Sequence, residues 1–332
     1  MMNRAIILKS RPIGTPKQTD FKIVEEQKPD VAQGEVLLKT LFVSVDPYLR
    51  GRMSDAESYV PPFDLSKPIS SGIVAEVVAS KNENFKVGDL VSDRLEWKEY
   101  QTSTGKSLQK LDPSIQPLSA YLGVIGMTGM TAYTGLMQIG KPKASETIVV
   151  SGAAGAVGSV VGQIAKIMGL HVIGIAGSDE KVEMLKSKFG FDEAINYNTT
   201  EDMSKAVAKA APKGVDIYYD NVGGPISDAV HLNLNQFARV IVCGAISLYN
   251  ATELPVGPRV EGLLIKKSVL MQGFIVSDFS DHFAEGAQQL GKWLKEGKLK
   301  YEETIVEGFD SIPEAFIGLF TGKNKGKMIV KV

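Results

Sequence analysis

The chain has 332 residues, of which 37 are basic and 38 acidic, for a formal net charge of −1. That balance gives no pull toward phosphate backbones, which excludes nucleic-acid binding as a main function. A composition of 44% hydrophobic and 23% charged residues is that of a globular protein, and the length favours two domains over one core.

In chain order, residues 1 to about 120 read as β-rich, with EVLLKTLFVSV (35–45) and SGIVAEVVAS (71–80) as Val- and Ile-rich strands. KVGDLV (86–91) is a turn feeding another strand. Scattered Pro and Gly and no helical period suggest a small, irregular β-barrel. The pattern then changes. ETIVVSG (146–152) is a buried strand, GAVGSVVGQIAKIMG (155–169) a helix and HVIGIAG (171–177) a strand. DEKVEMLKSKFG (179–190) is a helix stopped by Gly190. EAINY (193–197), EDMSKAVAKAA (201–211), VDIYYDNVG (215–223) and ARVIVCGA (238–245) continue the alternation. SVLMQGFIV (268–276) is a last strand, apolar enough to be buried on both sides. Such alternation implies a doubly wound parallel sheet, an α/β fold of the Rossmann type. In the helix over 282–298, Phe283, Ala287, Leu290 and Leu294 recur at helical spacing as a core face. Ser311 and Glu314 predict a capping box for one more helix. GKMIVKV (326–332) is a final strand that would close the barrel.

Cys243 is the single cysteine, so an intramolecular disulfide is ruled out, and a reducing compartment, the cytoplasm, is expected. The apolar runs are too short for a signal peptide or a membrane span. One Cys excludes a Cys-rich structural zinc site. The first 170 residues contain neither His nor Cys, which leaves only carboxylates and the scattered His171, His231 and His282 for a catalytic zinc. No metal is expected.

SGAAGAVGS is the most informative segment. Gly152, Ala153, Ala154, Gly155, Ala156, Val157 and Gly158 lie between a strand and a helix. Gly155 would let the backbone approach a pyrophosphate, Gly158 would let helix and strand pack closely, and the helix N-terminus offers N–H groups and a positive dipole end. The flanking strands raise this above a bare glycine triplet. NAD enzymes place an acid at the end of the second strand for the ribose 2′-hydroxyl. Here that strand ends in Ala176, Gly177 and Ser178, and Asp179 and Glu180 suit a first helical turn capped by Ser178. Lys181 by position is either a partner for a 2′-phosphate, favouring NADP, or a solvated lysine.

These segments, with VDPYLRGRM (45–53), GVIGMTGMTAYTGL (123–136), YDNVGG (219–224), CGAISLYN (243–250), QGFIVSD (272–278) and GKNKGKMIV (322–330), run the length of the chain in order. Together they resemble the zinc-independent medium-chain dehydrogenases/reductases, in the branch of the prostaglandin reductases and plant double-bond reductases. The resemblance implies a GroES-like substrate domain over 1–122, completed by 303–332, and a Rossmann NADP-binding domain over 123–302, with the active site in the cleft between them. It implies that Ser178, Lys181 and Tyr197 hold the 2′-phosphate. It further implies that Met127, Thr128, Asn221, Cys243, Gly244, Ala245, Ile246, Ser247, Phe274, Val276 and Asn324 line NADP. It makes Tyr249 the active-site tyrosine. Tyr48 is either a substrate contact or a tyrosine packed at the domain seam. A homodimer joined at the edge of the Rossmann sheet is implied as well.

The zinc-dependent relatives carry a zinc-binding Cys and a Gly-His-Glu that this sequence lacks, so no Lewis acid is at hand to hold an alkoxide. The expected reaction is NADPH-dependent reduction of an activated double bond, with hydride delivered to the β-carbon of an α,β-unsaturated ketone or aldehyde. The enolate oxygen would be held by a tyrosine. A quinone oxidoreductase of the zeta-crystallin type and a non-catalytic NADPH-binding redox sensor are the alternatives.

Overall fold

The structure, a computed structural model, describes residues 2–332. The chain forms two compact units. One comprises Met1–Leu122, Glu303–Asn324 and Met328–Val332; the other comprises Gly123–Glu302 and Lys325–Lys327.

The first stretch runs β1 (Met2–Leu8), β2 (Phe21–Gln27), β3 (Val36–Ser44), the one-turn helix α1 (Leu49–Arg52), β4 (Ser70–Ser80), β5 (Leu90–Glu96), β6 (Tyr100–Ser103) and β7 (Gln109–Lys110). The second unit follows with α2 (Met127–Thr134), β8 (Thr147–Ser151), α3 (Gly158–Ile167), β9 (His171–Ala176), α4 (Asp179–Ser187), β10 (Glu193–Asn196) and α5 (Met203–Ala210). It continues through β11 (Val215–Asp220), α6 (Gly224–His231), β12 (Leu234–Val242), α7 (Glu261–Lys267), β13 (Leu270–Gly273) and α8 (Phe283–Lys295). The chain closes with β14 (Glu303–Glu307), α9 (Ile312–Gly318) and β15 (Lys327–Lys331).

In the first unit a seven-stranded sheet has the order β14-β15-β3-β4-β5-β7, with β6 also on β3, while β1 and β2 form their own antiparallel pair. β15, β3, β4, β5 and β7 pair antiparallel, so the C-terminal strand does enter this sheet beside β3. Its core gathers Trp97, Leu38, Leu49, Ile73 and Phe316, each all but inaccessible.

The second unit carries the parallel sheet, of order β10-β9-β8-β11-β12-β13. All five residues of β8 are buried, as expected of a strand covered on both faces, and its β-branched Thr147, Ile148, Val149 and Val150 suit that setting. From β8 the chain winds outward first through β9 and β10, then through β11, β12 and β13. The reversal falls between β8 and β11, and the carboxyl ends of strands at such a switch point are where open α/β sheets bind ligands.

Three local expectations need correction. β13 is a short edge strand, and Leu270, Gln272 and Gly273 are exposed in it rather than buried on both sides. The buried face of α8 is Gly286, Leu290 and Trp293, while Ala287 is exposed. The face is set by close approach to α2: a Cβ on Gly286 would lie 2.6 Å from the Met130 sulfur, and Trp293 packs on Tyr133 with ring centres 6.3 Å apart. The Ser311–Glu314 capping box does not form, because Ser311 is already helical and its hydroxyl donates back to the Glu307 carbonyl at 3.0 Å.

Candidate active site

The glycine turn begins where β8 ends. Gly152 takes φ +58°, a left-handed conformation that glycine adopts without strain. The turn then folds in on itself: Gly155 N–H donates to the Gly152 carbonyl at 3.0 Å and Ala153 N–H to Ile175 on β9 at 3.0 Å. A Cβ on Gly158 would lie 2.4 Å from the Gly152 oxygen and 2.7 Å from the Ala153 Cα, so only glycine lets α3 start flush against the strand. The N–H groups of Ala156 and Val157 meet no protein acceptor among the described residues. They head a ten-residue helix whose positive end lies here. From the far end of the chain, Gly326 N–H donates to the Ala154 carbonyl at 2.8 Å.

A second cluster forms at the end of β9. Ser178 caps α4, its Oγ accepting from Lys181 N–H at 3.3 Å. The Tyr197 hydroxyl sits directly on the turn, 2.6 Å from where a Cβ on Gly177 would be. Lys181 is half-buried, and burial, with Lys325 nearby, pulls its pKa below the ordinary lysine value against the pull of Glu180. Lys325 is itself paired with Glu180. Asp179, the acid best placed for a ribose diol, accepts instead from Asn196 Nδ2 at 2.7 Å. The residues at this strand end therefore offer a cation and hydroxyls to an anion.

The third cluster turns on Asp220, which sequence reasoning did not single out. Its carboxylate is buried at 4% exposure. Oδ1 accepts from Ser151 Oγ, Tyr218 hydroxyl, Val222 N–H and Gly223 N–H at 2.8–3.0 Å, and Oδ2 accepts from Ser227 Oγ at 2.7 Å. Its carbonyl accepts from Cys243 N–H and Gly244 N–H at 2.8 and 3.1 Å. One residue thus ties the ends of β8, β11 and β12 together. The available signal was an acid ending the apolar run VDIYYD, where a buried charge must be fully hydrogen-bonded. Asn221 lies alongside, its Nδ2 donating to the Ser151 carbonyl at 2.8 Å.

From this anchor hangs the Cys243–Ser247 turn. Ser247 donates through N–H and Oγ to the Val222 carbonyl at 3.1 and 2.6 Å. Tyr249 follows the 3₁₀ turn Ile246–Leu248 and folds back, its hydroxyl accepting from Ala245 N–H at 3.3 Å. Phe274 lies against Gly135, where a Cβ would come within 2.7 Å of its ring, and Val276 opens the 3₁₀ stretch Val276–His282. In α2, Thr128 is buried with its hydroxyl on the Gly123 carbonyl at 3.0 Å, while Met127 is exposed. Burial pushes the Cys243 thiol up to about 12, which keeps it protonated near neutral pH.

In the first unit, Tyr48 is half-buried. Burial and then Asp46 push its hydroxyl up to about 12, while Arg94 and Arg52 pull the other way. It stays a neutral donor. Among the described residues no three His, Cys, Asp or Glu side chains gather where they could hold a metal ion, and no helix is long and apolar enough to cross a membrane.

A parallel sheet with a glycine turn at its switch point is a dinucleotide-binding architecture. Residues 4–111 match the family described as the N-terminal domain of oxidoreductase, and residues 156–292 match the family described as zinc-binding dehydrogenase. The putative NADP-dependent oxidoreductase YfmJ of Bacillus subtilis is 60% identical, over 98% of this chain and 97% of that protein. The NADPH-dependent curcumin reductase of Escherichia coli is 45% identical, and the NADP-dependent 2-alkenal reductase of Nicotiana tabacum 43%, each over 99% of this chain and 97% of the relative. CurA of Vibrio vulnificus, solved in complex with NADPH, superposes with a TM-score of 0.95 at 45% identity, covering 99% of both chains. The chain belongs to the medium-chain dehydrogenase/reductase family.

Proposed function

We propose that the chain is an NADPH-dependent reductase of the activated C=C bond of α,β-unsaturated ketones and aldehydes. One observation carries the cofactor reading: the end of β9 presents half-buried Lys181 with Ser178 and Tyr197, while Asp179 is engaged by Asn196. That set suits a 2′-phosphate and not a bare ribose diol. The substrate class is supported by the relatives named as curcumin and 2-alkenal reductases.

Ala156 and Val157 N–H groups bind the pyrophosphate in this reading. Asn221, the Cys243–Ser247 turn, Phe274, Val276, Asn324, Met127 and Thr128 line the rest of the cofactor. NADPH, when bound, supplies the hydride that goes to the β-carbon of the enone. Charge then grows on the carbonyl oxygen, and Tyr249 donates to it. Accepting from Ala245 N–H makes the Tyr249 hydroxyl a stronger donor, because chained hydrogen bonds polarise one another. Tyr48, held neutral, is a second donor to substrate. The α-carbon takes a proton from solvent water, releasing hydroxide, as the enolate collapses to the ketone.

The test is turnover of a simple enone, an enal and a quinone side by side with NADPH and NADH. Saturated ketone from the enone, with NADPH preferred, is the expected result; turnover of the quinone alone would refute it. We also propose a homodimer joined through β13, supported by its exposed edge position and by Leu270 and Ile265, 48% and 78% exposed. A monomeric mass by light scattering at micromolar concentration would refute that. The single free Cys243 supports a cytoplasmic setting.

A further inference from the structure

Two arginines of the first unit, half-buried Arg52 and exposed Arg94, have no carboxylate partner among the described residues. Arg52 ends α1 and lies over the Phe63 ring, its guanidinium carbon 4.0 Å from the centroid. Its Nε donates to the Pro61 carbonyl at 3.0 Å, and its Nη1 reaches Ser70 Oγ at 3.5 Å. Ser70 and Gly72 lie two apart on β4 and so share one face of the sheet. Gly72 stands directly opposite Arg94 on β5, so Arg94 leaves the sheet on the face that Arg52 reaches.

Neither guanidinium has an ion-pair partner among the described residues. The acids beside Arg94 are committed elsewhere. Glu96 pairs with Lys98 at 3.0 Å, and Asp93 accepts from Ser107 Oγ at 2.5 Å and from Arg94's own N–H. Burial, and then Arg94, hold the Arg52 pKa below the ordinary guanidinium value, and both arginines act on Tyr48. Two cations that repel each other beside a neutral phenol and a serine hydroxyl make an arrangement that an anion would relieve. Guanidinium forks suit the two oxygens of a carboxylate.

We propose that Arg52 and Arg94 recognise a carboxylate on the substrate, so that the preferred enones are those carrying an acidic tail. This deepens the enone-reductase reading and rests on it. An anion of the same chemistry could also come from a cofactor phosphate, and the experiment separates the two sources.

The probes are 9-oxodec-7-enoate and its methyl ester, which share one enone and differ in charge. Wild type should favour the acid over the ester in kcat/KM, and Arg94→Gln should lower that ratio by about two- to fivefold, the range for an ion pair at an exposed arginine. Arg94 is exposed, so this variant does not threaten the fold. Arg52→Gln should lower the ratio as well, and Arg52→Lys should restore part of it. A wild-type ratio near one overturns the proposal while leaving the reductase reading intact. So does an Arg94→Gln variant that raises the NADPH KM without moving the ratio, because the arginines would then read the cofactor. No turnover of either probe or of a simple enone would sink the underlying reading instead.

Discussion

Lys181→Ala is the sharpest test of the cofactor assignment. The substitution leaves the helix sound. Alanine is a good helix former, and the contact capped by Ser178 is the main-chain N–H of residue 181. What disappears is one ammonium. Were Lys181 a surface lysine, its pairing with a phosphate would be worth about 0–1 kcal/mol. It is half-buried instead and partly stripped of water, so a charge-assisted contact nearer about 1.5–2 kcal/mol is expected, or about ten- to thirtyfold. Lys325 does not replace it, being tied to Glu180. The assay is KM for NADPH and for NADH with one enone, alongside a melting curve that should not move. NADPH KM should rise by that factor while NADH kinetics stay nearly constant. An equal loss with both cofactors, or none with either, would show that Lys181 does not read the 2′-phosphate.

Tyr249→Phe should lower kcat by about ten- to a thousandfold with NADPH affinity unchanged, because a lost oxyanion donor is felt in the transition state. A Phe variant with full kcat, against a Tyr249→Ala variant that binds poorly, would make Tyr249 a packing residue only. Exhaustive chelation should leave activity intact; one zinc per chain, lost together with activity, would overturn the mechanism. Alkaline pH should destabilise the fold. Cys243 is raised from 9.0, and Tyr48 and Tyr133 from 10.0, each to about 12. Such groups stabilise fully below their ordinary values and cease to as pH rises through the folded ones, so melting temperature should fall between about pH 9 and 12. Cys243→Ser should remove the earliest part of that fall, and an unchanged profile would count against the buried thiol.

The parallel sheet was legible because its central strands are covered on both faces. β8 is buried along its whole length and β9 at every residue after His171, so both read as near-continuous apolar runs. The glycine turn was legible because its strand and helix flank it. What could not be read was set by contacts between distant segments. The core face of α8 is defined by a glycine, Gly286, which carries no hydrophobic signal and matters only because Met130 and Tyr133 lie against it. The edge strand β13 has the composition of a buried one, since covering it would take something other than its own sheet. Asp220 was hidden for the opposite reason: its value lies in the donors that converge on it from Ser151, Tyr218 and Ser227, and a lone acid in a sequence does not announce them.

The bond from Gly326 to the Ala154 carbonyl has a bearing on how the protein is made. Residues 325–327 belong to the second unit, although the residues on either side of them belong to the first. During synthesis the sheet from β8 to β13 leaves the ribosome well before them. The glycine turn is therefore short of one of its backbone partners until residue 326 has emerged, and a nascent chain stopped before this tripeptide would hold a sheet with an unfinished turn.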